Sequence, residues 1–295
     1  MKFKKKKQLM SEKAIGDQGK CRTIYDLNKD IQKRNLQSCD YELVLNKTYR
    51  IKLHRTVLKQ IEFFRATQNF RENYQNVCHI TYDGISVKNF ENIVAFCYTN
   101  KIVLKEDNVR QIYKFSHYIG FDSLNKTCCK FCKTKFNTSD IWNWNQFAED
   151  SMILELGKSI RNYLEQNFER LSVDENVFKN WSKEQIVKII SLDGLVVSSE
   201  LKVLTFVFNW TKKFGVDHHK SEFESMLTNV RLQHVSTTSV KNFFEISGPE
   251  YRDLWTKHRN FQAGSPRQEA RFYGRGIYII EETWMYPATF RLYIF

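Results

Sequence analysis

With 295 residues, of which 42% are hydrophobic and 15% aromatic, the chain is long and apolar enough to fold as two domains of ordinary size. Its net charge of +13 includes the lysines of the opening stretch MKFKKKK, but no zinc-finger, basic-zipper or RNA-recognition signature accompanies that charge. No apolar run approaches the roughly 18 residues of a membrane-spanning helix, so we predict a soluble protein with no nucleic-acid partner and no membrane partner.

The first predicted elements are a helix and a pair of strands, after a basic disordered tail at residues 1–22. TIYDLNKDIQKRNL, residues 23–36, places Ile24, Leu27 and Ile31 on one helical face. The stretch CDYELVLNKTYRIKLH then alternates apolar and polar residues around a polar centre at Asn46 and Lys47, which predicts two strands joined by a tight turn. The residues expected on the buried face of this hairpin are Leu43, Leu45, Tyr49 and Ile51.

Helices and one further strand complete a mixed domain over residues 23–137. HRTVLKQIEFFRAT has apolar residues at helical spacing, and VCHITYDGI reads as a strand with a turn at its Asp-Gly pair. Ser86 is placed to cap the next helix, and Gly120 is placed to end the one after it. Strands and helices mixed within about a hundred residues indicate one compact α+β unit.

From residue 138 to residue 245 the strand signals disappear and amphipathic helices follow one another. In MILELGKSIRNYLEQNF and SSELKVLTFVFNWTKKF the apolar residues form single stripes, which predicts packed helical hairpins. Residues 246–295 contain all three prolines, so a linker with a few strands is expected there.

The seven cysteines suggest packing rather than chemistry. Only Cys129 and Cys132 form a CxxC pair, with Cys128 beside them, and no second pair follows at zinc-ligand spacing. We therefore predict a helix that buries small thiols, no metal site and no cofactor.

The sequence also lacks the motifs of the common enzyme classes. It has no glycine-rich phosphate loop, no GxSxG and no HExxH, so we predict no catalytic residue and no enzyme. The adjacent His218 and His219 lie in GVDHHKSEF, which we interpret as a surface loop. Neighbouring side chains point in different directions, so the two histidines do not make a ligand pair.

Several of these stretches together resemble a known protein family. LNKDIQKRNLQSCDYELVLNKTYRIKLHRTVL, FCYTNKIVL, NVRQIYKFSHYIGF and CCKFC resemble a BTB/POZ domain. QFAEDSMILELGKSIRNYLEQNF, LDGLVVSSELKVLTFVFNW and LTNVRL resemble the BACK domain that follows it in kelch-like proteins. The resemblance covers roughly residues 24–245 and implies an α+β BTB/POZ domain followed by an all-α BACK domain.

The resemblance implies a function as well as a fold. Many kelch-like proteins dimerise through the first helix of the BTB domain, which here carries Leu27 and Ile31. They bind the cullin-3 scaffold, and a kelch propeller holds a protein substrate for ubiquitination. The implied partners are cullin-3, a second copy or another BTB protein, and a substrate that the sequence does not identify. The implied place of action is the cytoplasm, and the lysine run leaves the nucleus open.

A cullin contact is implied at Phe70 and Glu72. Cullin-binding members carry a hydrophobic residue, any residue and then glutamate in the loop after the helices that follow an HR pair, and Phe70, Arg71 and Glu72 stand at that place. The alternative is that Phe70 packs beneath its own loop and Glu72 is solvated.

Other residues match family positions with two interpretations each. Asp40 and Arg55 resemble the charged pair beneath the dimer groove, where they would either recognise a partner or hold the dimer face together. His54 matches a histidine expected to form structural hydrogen bonds. Trp142 and Trp144 lie where the BACK domain completes the cullin groove, and they would add contact area there or pack in the core.

The chain departs from the family pattern in two places. Thr67 and Gln68 replace two large apolar residues, and the loop to Phe70 is shortened. In residues 246–295 only RFYGRGIYIIEE resembles a kelch strand, with glutamates in place of the glycine doublet, so the propeller is expected to be missing or vestigial. A shortened chain rich in Lys, Asn and Ile also resembles the poxviral branch of the family.

Three functions remain open from the sequence. The first is a substrate adaptor of a cullin-3 RING ubiquitin ligase that acts as a BTB homodimer. The second is a non-catalytic scaffold or regulator that dimerises with full-length kelch-like proteins without recruiting substrate. The third, a BTB transcriptional regulator, has the least support because the chain shows no DNA-reading module.

Overall fold

The computed structural model describes residues 22–23, 39–69, 76–251 and residue 254. The strands are β1 (Arg22–Thr23), β2 (Tyr41–Leu45), β3 (Tyr49–Leu53) and β4 (Val77–Ile80). A 3₁₀ helix, Arg55–Gln60, precedes α1 (Glu62–Asn69), α2 (Val87–Thr99), α3 (Val109–Tyr118) and α4 (Asp122–Lys133). Thr23, the first residue of the predicted helix, and Arg22 of the predicted disordered tail instead form β1, because they pair in parallel with β3. The rest of that predicted helix, with Leu27 and Ile31, lies outside the described residues.

Beyond α4, the described part of the chain contains helices joined by loops and no strand. They are α5 (Ile141–Asp150), α6 (Leu154–Gln166), α7 (Phe168–Leu171), α8 (Glu175–Asn180), α9 (Lys183–Ile190), α10 (Glu200–Thr211), α11 (Val216–Leu227) and α12 (Thr237–Ser247). Three short 3₁₀ helices, Lys212–Phe214, Leu232–His234 and Pro249–Tyr251, lie between or after them. None of the helices described here has both the length and the apolarity needed to cross a membrane.

Contacts divide the chain into two compact units. The first comprises the described residues up to Lys135 together with Gln146–Leu156, and the second comprises Phe136–Asn145 together with the described residues from Gly157 onward. Two helices, α5 and α6, therefore contribute one part to each unit. Of the expected linker and strands at residues 246–295, the structure describes residues 246–251 and 254, and the stretch RFYGRGIYIIEE lies outside the described residues.

The first unit is built on a four-stranded sheet in the order β1-β3-β2-β4. β2 and β3 are antiparallel and joined at Asn46 and Lys47, whose φ angles of 49° and 63° are those of a tight hairpin turn, as predicted. The predicted face is confirmed for Leu43, Leu45 and Ile51, which are buried, whereas Tyr49 is half-buried and donates to Glu91. β4 pairs in parallel with β2 at the sheet edge.

One predicted helix of the first unit is interrupted. The stretch HRTVLKQIEFFRAT forms the 3₁₀ helix and then α1, because the backbone of Ile61 is extended between them. Leu58 of the 3₁₀ helix, Ile61 of the extended link and Phe64 of α1 are nevertheless all buried. The later helix signals are confirmed: Ser86 accepts a hydrogen bond from the Asn89 N–H at 3.3 Å, and α3 ends before Gly120.

The second unit buries the stripes that the sequence predicts. The inward residues of α6 and α10 are buried, among them Ile160, Leu164, Val203, Val207 and Trp210. The short helices α7 and α8 and the later α12 were not predicted, because each offers only one or two apolar turns and no long stripe.

The carboxylate of Glu169 connects α7 to the first turn of α10 and to the loop before it. Hydrogen bonds from Ser198, including its N–H at 2.9 Å, and from Lys202 Nζ at 3.0 Å lower the pKa of Glu169 to about 2. Because the folded pKa is depressed, these bonds stabilise the fold fully above the unfolded pKa of roughly 4.3. Their contribution is lost as the pH falls from there toward about 2.

We expect Glu169→Gln to reduce stability at pH 6 and to have less effect at pH 3. Urea unfolding of both proteins between pH 3 and pH 6 measures the difference in the free energy of unfolding. The difference should stay small throughout, because the Glu169 side chain is about half exposed and solvent screens its interactions. A difference that does not change with pH would contradict this assignment.

Candidate interaction surface

The residues predicted from the sequence to contact cullin-3 fall in a segment whose two ends the structure describes. Phe70 and Glu72 themselves lie outside the described residues. The segment begins after Asn69, the last residue of α1, and ends before Asn76, whose carbonyl accepts the Glu42 N–H at 2.8 Å. It therefore connects a helix end to the edge of the sheet.

α1 is held in place by a turn at Gly120. The N–H groups of Glu62 and Phe63 donate to the carbonyls of Gly120 and Ile119 at 3.2 and 3.1 Å. Gly120 has a φ of +67°, and a Cβ added to it would lie 2.7 Å from the Cβ of Glu62. Only glycine permits this close approach, so the position of the start of α1 depends on this turn.

The departures from the family pattern, Thr67 and Gln68, lie on α1 rather than in a loop. The helix continues to Asn69, so Phe70 follows its final turn directly. The polar pair thus belongs to the helix end that leads into the candidate contact.

The side chain of Asp40 contacts the backbone of Arg55 and not its guanidinium. Asp40 Oδ1 accepts the Arg55 N–H at 2.8 Å, at the first residue of the 3₁₀ helix, while the guanidinium of Arg55 lies 4.7 Å from the centre of the Tyr41 ring. The pKa of the Tyr41 phenol is raised, mainly by burial and to a smaller extent by the neighbouring Cys78. The contact supports the structural interpretation of the pair and leaves partner recognition untested.

We expect Asp40→Ala to lower the free energy of unfolding by about 0.5–2 kcal/mol, as the loss of a helix-capping oxygen generally does. Asp40→Asn retains an acceptor oxygen and should have little effect. Arg55→Ala keeps the donating N–H and serves as the matched control. Urea midpoints for the three variants measure the effect, and equal losses for all three would contradict the capping role.

His54 has the structural role that the sequence predicts. Its backbone N–H donates to the Tyr98 hydroxyl at 2.8 Å, and its Nδ1 lies 2.9 Å from the same oxygen. One tyrosine thereby fixes the residue that precedes the 3₁₀ helix.

The two tryptophans of α5 differ in exposure. Trp144 is buried in the second unit, which confirms core packing for this residue. Trp142 is half-buried, with its ring edge-on to Trp181 at 5.4 Å and the Lys188 ammonium 5.9 Å from its centre. Of the two, Trp142 offers more surface to a partner.

Comparison with known proteins decides the family. Residues 29–136 match the family model described as BTB/POZ domain, and residues 141–245 match the one described as BACK, BTB And C-terminal Kelch. Kelch-like protein 21 of Danio rerio is 28% identical over 185 residues, and Kelch-like proteins 5 and 17 of Homo sapiens are 24% and 28% identical over 202 and 189 residues.

This chain is a BTB–BACK protein of the kelch-like family. The α+β part is its BTB domain and the all-α part is its BACK domain. The three alignments cover 62%, 68% and 63% of this chain but only 30%, 26% and 29% of the relatives, so the chain spans less than a third of their length.

Solved BTB domains also match the chain. The BTB domain of human gigaxonin is 24% identical, with a TM-score of 0.30, covering 36% of this chain and 86% of that one. The BTB domain of zebrafish PATZ1 is 21% identical, with a TM-score of 0.30, covering 38% and 88%.

The clustered cysteines pack inside the BTB domain. Cys128, Cys129 and Cys132 are buried on α4, which confirms the predicted packing helix. The pKa of Cys132 is raised to about 12, mainly by burial and to a smaller extent by the neighbouring Cys129. Its thiol therefore stays protonated at neutral pH. In the described part of the chain no group of His, Cys, Asp and Glu side chains is arranged to hold a metal ion.

The prediction for the histidine pair in the BACK domain was wrong. His218 and His219 lie on α11, and His219 is buried, with Nε2 3.0 Å from the Phe208 carbonyl and Nδ1 hydrogen-bonded to the Tyr251 hydroxyl. The residues around the pair are mostly polar, so the sequence shows no clear helical pattern there. The buried side of the helix nevertheless packs against aromatic rings. The distant Phe208 and Tyr251 supply the partners, so no local signal indicates the burial.

Sequence reasoning also missed a polar cluster in the core of the BACK domain. Arg231, in the family stretch LTNVRL, is buried, pairs with Asp193, and donates its N–H to Glu200 Oε2 at 3.2 Å. Glu200 is fully buried at the start of α10. Arg231 is the buried member of its pair with Asp193, whose side chain is exposed. Removing a partner from a buried charge is generally destabilising, because the charge is left uncompensated.

Proposed function

We propose that this protein is a substrate adaptor of a cullin-3 RING ubiquitin ligase that acts as a BTB dimer in the cytoplasm and performs no chemistry itself. The observation that carries the proposal is the order of its domains, a BTB/POZ match at residues 29–136 followed directly by a BACK match at 141–245. The alignments with three kelch-like proteins support it.

The cullin contact in this proposal is the segment after α1. Phe70 would enter an apolar patch of the cullin, and Glu72 would add a directional polar contact, because aromatic anchors generally carry most of an interface's binding energy. The hydrogen bonds from α1 to the Gly120 turn support the proposal, since they hold the helix that immediately precedes Phe70 in the sequence. An anchor on a fixed helix end loses less conformational entropy on binding.

The adaptor would act by raising effective concentration. A chain that binds the ligase and a protein substrate together makes transfer of ubiquitin effectively intramolecular. Dimerisation through the first BTB helix, with Leu27 and Ile31, would place two such chains in one assembly.

Phe70→Ala should weaken binding to cullin-3 by about 30-fold or more, the usual effect of truncating a hot-spot aromatic. Glu72→Ala should weaken it less, and Arg71→Ala, at the position where the pattern allows any residue, is the matched control. Isothermal titration of each purified variant with the amino-terminal domain of cullin-3 gives the affinities, and light scattering checks that each remains dimeric. Equal affinity of Phe70→Ala and the wild type would overturn the assigned contact.

The polar pair Thr67 and Gln68 at the end of α1 favours a second candidate function. A weakened cullin contact would leave a regulator that pairs with full-length kelch-like proteins through the BTB domain and limits their ligase activity. One binding experiment distinguishes the two functions. A wild-type chain that forms heterodimers with a full-length kelch-like protein but binds no cullin-3 supports the regulator.

A further inference from the structure

The last helices of the BACK domain enclose a cleft that the proposed function does not use. It has a volume of about 460 Å³, within the usual range of binding sites. Its lining comes from α10, the 3₁₀ helix after it, α11, α12 and the final 3₁₀ helix, and includes Phe208, Lys212, His219, Phe243, Ile246 and Tyr251.

Contacts among aromatic rings hold the floor of the cleft in shape. The ring of Phe208 meets those of His219, Phe243 and Tyr251 edge-on, with centres 4.8, 5.4 and 5.3 Å apart. His219 is held from both sides, since its Nε2 donates to the Phe208 carbonyl and its Nδ1 bonds to the Tyr251 hydroxyl. A floor fixed in this way is preformed, so an occupant need not order it.

The rim of the cleft combines an apolar and a cationic group. Ile246 is 87% exposed, an unusual state for a large aliphatic side chain beside an aromatic floor. Lys212 places its ammonium 4.9 Å from the centre of the Phe208 ring, and no carboxylate of the described residues pairs with it. The rim thus suits a segment with apolar side chains next to acidic ones.

The chain continues beyond the described residues from this same place. Tyr251 lines the cleft, and Leu254, the last described residue, is buried. Residues 278–286, YIIEETWMY, carry aromatic and aliphatic side chains on both sides of Glu281 and Glu282, two of the three acidic residues between 255 and 295. At about 3.3 Å per residue, residues 255–277 are long enough to bring that stretch back to the cleft.

We propose that residues 278–286 bind in this cleft of the same chain. Their apolar side chains would cover Ile246 and the aromatic floor, and their glutamates would pair with Lys212. The proposal is independent of the cullin contact, which lies in the BTB domain.

Site-specific cross-linking in the full chain tests the proposal. A photoreactive benzoylphenylalanine placed at Ile246, which is exposed and so tolerates the change, should link to residues 278–286 of the same chain. The matched control is the same group at Val173, which is 77% exposed and does not line the cleft. Mass spectrometry of the digested monomer band identifies the linked peptide.

A charge exchange tests the pairing. Lys212→Glu should lower the yield of that cross-link about two- to fivefold, the usual range for an exposed ion pair. Glu281→Lys with Glu282→Lys, added to Lys212→Glu, should restore the yield. Linkage to a second copy, linkage to other segments, an equal yield from Val173 or no response to the charge exchange would each overturn the proposal.

Discussion

Trp210→Ala is expected to lower the free energy of unfolding of the BACK domain by about 3–5 kcal/mol, the range for truncating a buried large aromatic. Trp210 is fully buried on α10, its ring lies 5.2 Å from that of Phe214, and the Lys213 ammonium lies 3.8 Å from its centre. The loss is one of packing, because the indole N–H has no hydrogen-bond partner among the described residues.

Two further variants serve as comparisons for Trp210→Ala. Trp210→Phe keeps part of the ring volume and should cost less than the alanine variant, and Phe214→Ala, a more exposed neighbour, should cost about 1 kcal/mol. Urea unfolding combined with hydrogen exchange of the α10 amides reports on this domain. A Trp210→Ala protein as stable as Phe214→Ala would show that Trp210 is not a central packing residue.

Gly120→Ala is expected to destabilise the BTB domain by about 2–4 kcal/mol, from the left-handed backbone that alanine disfavours and from overpacking against α1. The added Cβ would lie 2.7 Å from the Cβ of Glu62, and the φ of +67° does not suit an L side chain. Because both neighbours are fixed by backbone hydrogen bonds, α1 must shift to relieve the contact.

A second glycine supplies the control. At Gly157 on α6 an added Cβ meets no atom within 4 Å, so Gly157→Ala should be neutral or stabilise the protein by about 0.5–1 kcal/mol. Hydrogen exchange at the amides of Glu62 and Phe63 should accelerate in Gly120→Ala alone. Unchanged exchange there would contradict the role of Gly120 in holding α1.

The sequence predicted the elements whose signals are local. The hairpin turn at Asn46 and Lys47, the serine cap at Ser86 and the buried stripe of α10 each depend on neighbouring residues, and the structure confirms all three. Positive φ at a polar turn and apolar spacing of three and four residues are properties that a short stretch specifies by itself.

Features set by distant contacts were not predicted. The hydrogen bonds that hold the start of α1, just after the break at Ile61, come from the distant Gly120 turn. The hydrogen-bond partners of the buried His219, Phe208 and Tyr251, lie 11 and 32 residues away. The backbone bond from Arg55 to Asp40 likewise needs the hairpin to bring the two residues together. For the cullin contact, sequence position after α1 remains the basis for Phe70 and Glu72.

The central claim, that this chain joins cullin-3 as a dimer, is tested most directly by the mass of the complex. Light scattering of the purified full chain mixed with the amino-terminal domain of cullin-3 measures that mass. The proposal predicts an assembly of two chains with two cullin domains, and a lower average mass for Phe70→Ala at the same concentration because less of the cullin domain is bound. A wild-type chain that elutes without cullin-3 at concentrations of about 10 μM, well above the Kd of a stable complex, would contradict it.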